Sequence, residues 1–425
     1  MRFDTLSQWL DWQQSLHPKS IDLGLERVTE MMARLGIERP ARSVLTVGGT
    51  NGKGSVVAYL DAMLRAGGYS VGVFTSPHLV RYNERIHIQG RSVDDAAIMR
   101  SFERIDSVRG DLSLTFFEWN ALAGFELLES AGVEVAILEV GLGGRLDAVN
   151  AVDADVAAVV SIGLDHCEWL GSTLEQIGRE KAGIFRPGRP AIFGARSMPW
   201  SVGQAATAIG ARLRRLGVDF DFVERPDGWD YIGIGSRRRE LPLPGLCGAA
   251  QLANAATALA VLEAAEPGLL VPDDAVRAGL SGATLAGRFQ RVPGSPEWVL
   301  DVAHNPDAAR VLARSLSALP PAGRTIAVCG MLADKDTAAV VAAMDNVVDG
   351  WIAVGIDGSR ALDAAAMAAR LEGALGVAVP REGTVAAGCE RARQMAGPGD
   401  RVVVFGSFHT VGPALEWLGL PVEAG

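Results

Sequence analysis

A chain of 425 residues, 48% of them hydrophobic and 21% charged, holds apolar material for two cores, because single cores seldom grow past about 250 to 300 residues. Its net charge of -10, with no dense Lys/Arg run, excludes a nucleic-acid surface, which needs a basic stripe to displace phosphate counterions. No apolar leader follows Met1 and no span of about 18 apolar residues could cross a bilayer, so a soluble cytoplasmic protein without a membrane partner is expected.

A helical opening from Leu6 to Ser15 leads to a loop through Asp22-Leu23-Gly24-Leu25-Glu26-Arg27. Ser43 to Val47 has the short apolar character of a buried strand, and a Gly-rich turn runs from Gly48 to Ser55. Beyond it Val56, Leu60, Met63 and Leu64 mark one face of a helix that Gly67-Gly68 stops. Further strands are expected at Ser70 to Phe74, Val135 to Val140 and Asp155 to Ile162, with helices at Ala96 to Val108 and Phe117 to Ser130. Gly248 to Ala265 and Asp273 to Leu280 read as helices. Strands at Trp298 to Val302, Thr325 to Cys329, Trp351 to Val354 and Arg401 to Phe405 then alternate with Ala-rich helices. The class is α/β: a doubly wound phosphate-loop domain over residues 1–285 and a smaller Rossmann-like domain over 286–425. Arg237-Arg238-Arg239 reads as a solvated turn, and the widely spaced Cys167, Cys247, Cys329 and Cys389 as small buried residues.

Strand, glycine loop, helix is the order that turns backbone N–H groups and a helix N-terminus toward phosphate oxygens, and Lys53 would reach the terminal phosphates. Thr50, Asn51, Gly52, Lys53, Gly54 and Ser55 are therefore candidates for ATP. The residue after Lys53 is Gly54, so the hydroxyl of Ser55 comes one position late for the usual magnesium ligand. Other strand ends offer Ser76, Glu139 and His166, oxygen-rich Mg²⁺ coordination being the requirement. A lone histidine is more readily a hydrogen-bonded core residue, imidazole being an unusual magnesium ligand. The Gly141 to Asp147 loop is equally compatible with a ligand cradle and with a capped turn. Periodicity alone puts Lys181 on the wet side of its helix. In the second domain Asp301 and His304 stand between a strand and a helix, as nucleotide contact and proton-handling group, or as turn and capping residues.

Taken together, Asp22 to Arg27, Gly49 to Ser55, Ser76-Pro77-His78-Leu79, Ser113 to Glu118, Ile137 to Asn150, Leu164-Asp165-His166, Glu180 to Phe185, Asp301 to Asp307 and Phe405-Gly406-Ser407 resemble the Mur ligase superfamily, and within it the folylpolyglutamate synthases, especially the bacterial bifunctional kind. The resemblance implies ATP-dependent ligation of L-glutamate to dihydropteroate and to folates such as tetrahydrofolate, through an acyl phosphate. It implies magnesium, in two ions, held by residues matching Ser76, Glu139 and His166, and ATP contacts at Asn254, Arg288 and Asp301. It turns Lys181 into a carbamylated lysine that ligates the second ion, and makes His304 an acid–base or orienting group. A dihydropteroate pocket would draw on Asp22, Leu23, Thr115, Phe116, Phe117, Glu118, Leu146, Asp147 and Ala148. Ser407 and His409 are placed near the cleft, and a monomer is expected. The rivals are a folylpolyglutamate synthase without the dihydropteroate reaction and a nucleotide-dependent binding module. A cell-wall Mur ligase fits less well, because a glycine loop near residue 48 leaves no room for the N-terminal domain of those enzymes.

Overall fold

The computed structural model describes residues 2–19, 21–358 and 360–421, and divides into two compact units. The first contains residues 1–163, 167–245 and 252–283. The second contains 164–166, 246–251 and 284–425, so Asp165 and His166 pack with the later part of the chain.

In the first unit the strands are β1 (Ser43–Gly48), β2 (Val71–Phe74), β3 (Ile86–Ile88), β4 (Arg91–Ser92), β5 (Val135–Glu139), β6 (Val156–Val159), β7 (Pro190–Phe193) and β8 (Arg212–Arg215). They form one sheet in the order β4-β3-β2-β5-β1-β6-β7-β8. Every pairing from β2 to β8 is parallel, while β3 and β4 close the edge antiparallel. Strands β2, β5, β6 and β7 are buried at every residue, the pattern of a parallel sheet covered on both faces. Strand β1 lies between β5 and β6, and the chain leaves it toward β2 on one side and returns to β6 on the other. Such reversals open a crevice beyond the strand ends, where open α/β sheets take ligands.

The helix Lys53–Ala66 fills this layer with Val56, Tyr59, Leu60, Met63 and Leu64. Helix Asp273–Gly282 crosses it so closely that a Cβ at Gly279 would stand 2.5 Å from the Met63 backbone. Glycine there lets the two helices meet and fixes the helix that begins at Lys53.

Two local expectations fail. The segment through Glu26 and Arg27 already belongs to a helix, Glu26–Leu35, whose Val28, Met31, Met32 and Leu35 are buried. Arg237-Arg238-Arg239 opens a strand, β11 (Arg237–Leu241), paired in a three-stranded antiparallel sheet with β10 (Gly228–Ile232) and β9 (Asp221–Arg225). Salt bridges carry this charged sheet: Asp230 receives both Arg225 and Arg237.

The second unit holds β12 (Gln290–Val292), β13 (Glu297–Asp301), β14 (Thr325–Cys329), β15 (Gly350–Val354), β16 (Arg381–Glu382) and β17 (Arg401–Phe405), ordered β12-β13-β17-β14-β15-β16. All pair in parallel except β12, and the register sets Asp301, Phe405 and Cys329 level at the carboxyl edge. Its core gathers Val299, Ala327, Val403 and Phe405 from the strands with Leu312, Val340, Met367 and Leu371 from the helices. All four cysteines are free thiols; Cys329 and Cys389 are buried as expected, but Cys167 and Cys247 are exposed.

Candidate functional site

The glycine loop after β1 is tied to the strand end of β6. Thr50 N donates to Ser161 O at 2.8 Å and Asn51 N to Ser161 Oγ at 2.9 Å, while Gly163 N donates to Thr50 Oγ1 at 3.0 Å. Two glycines are required. Gly52 has φ of 86°, and a Cβ on it would lie 2.8 Å from Asn254 Oδ1 and 2.9 Å from Val160 Cγ1. At Gly49, φ of 139° and a Cβ 3.0 Å from the amide nitrogens of Val160 and Ser161 exclude a side chain as well. Asn254, nine-tenths buried on the helix Gln251–Ala265, is thereby placed against the loop.

Lys53 begins the helix and folds back, its Nζ donating to Gly49 O at 3.2 Å and Thr50 O at 3.4 Å. Lys181 Nζ donates to the same Gly49 carbonyl at 3.1 Å. Two amines from positions far apart in sequence thus converge on one peptide oxygen. Lys181 is only 6% exposed, which overturns the wet-face placement that helical periodicity suggests. The reason is the loop after β5: a Cβ at Gly144 would meet Glu180 O at 2.8 Å and Lys181 O at 2.9 Å, and one at Gly183 would meet Arg145 Cβ at 2.4 Å. That loop lies directly on the end of the helix Leu174–Ala182 and covers a face that looks polar in sequence.

Asp147 ends the same loop and turns inward. Its carboxylate accepts from Leu142 N at 2.7 Å and Val149 N at 3.0 Å, capping the short turn Ala148–Ala151. Burial pushes its pKa up to about 6, against those N–H donors and the nearby Lys181. Glu139, 5% exposed at the end of β5, accepts from Ser76 N at 3.3 Å, so the carboxylate and Ser76 are neighbours. Among the described residues no group of three or more His, Cys, Asp and Glu side chains stands together as a cage. A cation at Glu139 and Ser76 would complete its shell with water and nucleotide phosphate, the habit of Mg²⁺.

A second cluster joins the segments expected to hold the acid substrate. Arg27 bridges them, its Nε donating to Glu118 Oε1 at 2.9 Å and its Nη1 to Asp22 Oδ2 at 2.7 Å. Glu118 also closes a capping box with Thr115, accepting from Thr115 N at 2.8 Å and Thr115 Oγ1 at 2.9 Å. Phe117 lies against the backbone at Gly141, where a Cβ would come within 2.4 Å of its ring, and Phe116 stays half-buried. Leu23 and Leu146 are half-buried and Ala148 is buried. Arg27 carries this network, yet its residue type on a helix start gives no sequence signal beyond its position beside Asp22.

In the second unit Asp165 is a hub. Lys335 Nζ donates to its Oδ1 at 2.6 Å, Asn305 Nδ2 to Oδ2 at 3.1 Å, and His304 Nε2 stands 3.2 Å from Oδ2. His304 Nδ1 lies 2.8 Å from Val302 O, so both ring nitrogens face oxygens that orient the ring. Burial pushes the Asp165 carboxyl up, but His304, His166 and Lys335 together outweigh it and hold it well below the ordinary carboxylate range. Neither Asp165 nor Lys335 is singled out by sequence reading. The Asp334-Lys335-Asp336 triplet beyond β14 is the signal that could have found the lysine. His166 has a left-handed φ of 52° and stands beside Asp165, in the second unit.

Asp301 at the end of β13 accepts from Phe289 N and Ala303 N, both at 2.8 Å, with Arg288 close enough to oppose the upward push of burial. The Arg288 guanidinium lies 4.9 Å from the Phe408 ring centroid. Ser407 caps the helix Phe408–Trp417, and burial and Arg360 lower the His409 pKa.

Comparison with known proteins places this geometry. Residues 47–194 match the model of the Mur ligase middle domain, and residues 287–408 that of the Mur ligase glutamate ligase domain. A dihydrofolate synthase/folylpolyglutamate synthase of Escherichia coli (strain K12) is 47% identical over 411 residues, covering 97% of this chain and 95% of that one. The structure of E. coli FolC in complex with DHPP and ADP superposes with a TM-score of 0.93 at 47% identity, over 98% of each chain. The Yersinia pestis bifunctional folylpolyglutamate synthase/dihydrofolate synthase complexed with AMPPNP and Mn ion gives a TM-score of 0.92 at 45% identity, again over 98% of each.

Proposed function

The chain belongs to the dihydrofolate synthase/folylpolyglutamate synthases of the Mur ligase superfamily, and from that premise we propose that it joins L-glutamate to 7,8-dihydropteroate, giving dihydrofolate, and to tetrahydrofolate, giving polyglutamates, at the expense of ATP. The observation that carries the reading is the convergence of Lys53 and Lys181 on Gly49 O in a loop where no side chain fits at Gly49 or Gly52. The loop's N–H groups and Lys53 suit a phosphate, and the like charge of the Lys181 amine beside Lys53 favours conversion of one of the two amines.

The substrate carboxylate attacks the γ-phosphorus, ADP departs with the bridging oxygen, and the acyl phosphate forms. The amine of glutamate then displaces inorganic phosphate and leaves the amide. Phosphoryl transfer of this kind depends on positioning and charge neutralisation, so the residues act mainly by where they stand. Thr50, Asn51, Gly52, Gly54 and Ser55 surround the phosphates and Lys53 neutralises them. Asn254, Arg288 and Asp301 serve the rest of the nucleotide, with Arg288 already held on Phe408. Ser76, Glu139 and His166 are the residues that would hold a divalent cation, which would supply charge neutralisation for the transferring phosphate. His304, oriented by Val302 O and Asp165, is poised to orient the amine or take its proton.

Lys181 is carbamylated in the active form. Its burial beside Lys53 supports this, since carbon dioxide on the amine exchanges one of two crowded cations for an anionic oxygen ligand to a second metal ion. The acid substrate occupies the pocket of Asp22, Leu23, Thr115 to Glu118 and Leu146 to Ala148, which Arg27 ties together.

The test is phosphate release with ATP and Mg²⁺, comparing dihydropteroate with tetrahydrofolate, each with and without L-glutamate. Glutamate-dependent turnover with both acids is expected. Turnover with tetrahydrofolate alone would remove the dihydropteroate reaction, and silence with both would overturn the ligase reading.

A further inference from the structure

Arg85 ends the short turn Tyr82–Arg85 beyond Ser76 and is only 7% exposed. Its Nε donates to His78 Nδ1 at 2.8 Å. A guanidinium carries five N–H donors, and among the described residues neither terminal nitrogen of Arg85 has an acceptor. The guanidinium carbon lies 5.7 Å from the Tyr82 ring centroid and 5.8 Å from that of Phe116, so two aromatic rings flank it. Glu139 attracts it through space without a salt bridge. Burial of the guanidinium opposes its charge, with Tyr82, Glu84 and Glu139 acting the other way.

A cation this deep is normally paired, because desolvating it without acceptors is costly. The fold retains it against that cost, and the missing partner is an anion. Phosphate has its own cation, Lys53, folded onto the Gly49 carbonyl. Arg85 instead lies 5.8 Å from the ring centroid of Phe116, in the segment assigned to the acid substrate, with Glu139 near enough to attract it. Its planar fork suits a carboxylate gripped by two parallel N–H bonds.

We propose that the free terminal nitrogens of Arg85 bind the carboxylate that the enzyme activates, with Phe116 beside the aryl ring that bears it in dihydropteroate. The assignment rests on the ligase reading above and adds to it the residue that recognises the reacting group. Held there, the carboxylate approaches the γ-phosphate with part of its charge offset.

The test compares dihydropteroate with its uncharged carboxamide as a ligand. Wild-type protein should bind the acid about ten- to a hundredfold more tightly than the amide, the range for a charge-assisted pair. Arg85→Gln should bind both nearly equally, raise KM for dihydropteroate, and leave AMPPNP affinity within about twofold. Arg85→Lys, should the glutamine variant fail to fold, should keep part of the discrimination as a point charge without the fork. Undiminished discrimination in Arg85→Gln, a loss of AMPPNP affinity instead, or wild-type protein that binds amide as tightly as acid would overturn the assignment. Wild-type protein that turns over neither acid would overturn the ligase reading itself, so the two failures are told apart by the parent's own turnover.

Discussion

Replacing Asp165 with Asn should destabilise the second unit more than any other single exchange at the candidate site. The carboxylate accepts from Lys335, Asn305 and His166 N and faces His304, with side chains 8% exposed at Asp165 and 6% at Lys335. Asparagine must turn an NH₂ toward at least one of these donors and leaves buried Lys335 with only the more distant Asp334 carboxylate, at 3.4 Å. Breaking one partner of a buried pair costs about 3 to 5 kcal/mol. Removing both ends costs far less, so Asp165→Asn with Lys335→Met should recover at least about 2 kcal/mol of the summed single effects. Urea denaturation of the full chain, read by circular dichroism, measures each corner of the cycle. The pH dependence follows from the sign of the shift. A carboxyl held low in the folded state gives stability that is present above its unfolded pKa of about 4 and is lost as pH falls through the folded value. The deficit of Asp165→Asn should therefore be full at neutral pH and narrow only below about pH 4. An Asp165→Asn protein as stable as the parent, or a double variant whose loss equals the sum of the singles, would refute the hub.

Gly52→Ala should abolish nucleotide binding and cost about 1 to 2 kcal/mol of stability, because the left-handed φ of 86° penalises any Cβ and Asn254 and Val160 occupy its place; AMPPNP titration and thermal melting check it. Arg27→Met should raise KM for dihydropteroate about tenfold or more while sparing AMPPNP affinity, since it leaves Glu118 without its charged partner; steady-state kinetics decide, and an unchanged KM counts against the pocket. Lys181→Ala should be inactive, and the parent should lose activity when bicarbonate is stripped and regain it on return; full activity in either condition rules out the carbamate. The buried Asp147 carboxyl, raised to about 6, contributes stability that is fully present below its unfolded value near 4 and is lost as pH rises through 6, a change of about 3 kcal/mol. Denaturation curves from pH 4 to 7, with Asp147→Ala as the flat reference, test that window.

Some of the protein is written locally. Gly49, Gly52 and Lys53 must occur together between a strand and a helix for a phosphate loop to form, and so the loop, the α/β class and the strand-end positions of Glu139 and Asp301 follow from short stretches of sequence. Here side-chain period, turn chemistry and composition all point the same way. The antiparallel sheet of Asp221 to Leu241 was less legible, because its strands are held by charge pairs such as Arg225 with Asp230 rather than by an apolar alternation. Tertiary structure alone decided the rest. Helical periodicity assigns Lys181 to water, and only the backbone of Gly144 lying on Glu180 and Lys181 buries it. Asp165 meets Lys335 across 170 residues of chain, and Arg27 meets Glu118 across 91, so no local window contains either pair. A titrating or charged group takes its character from the donors, acceptors and low-dielectric surroundings that packing brings to it, and those neighbours are fixed by the fold as a whole.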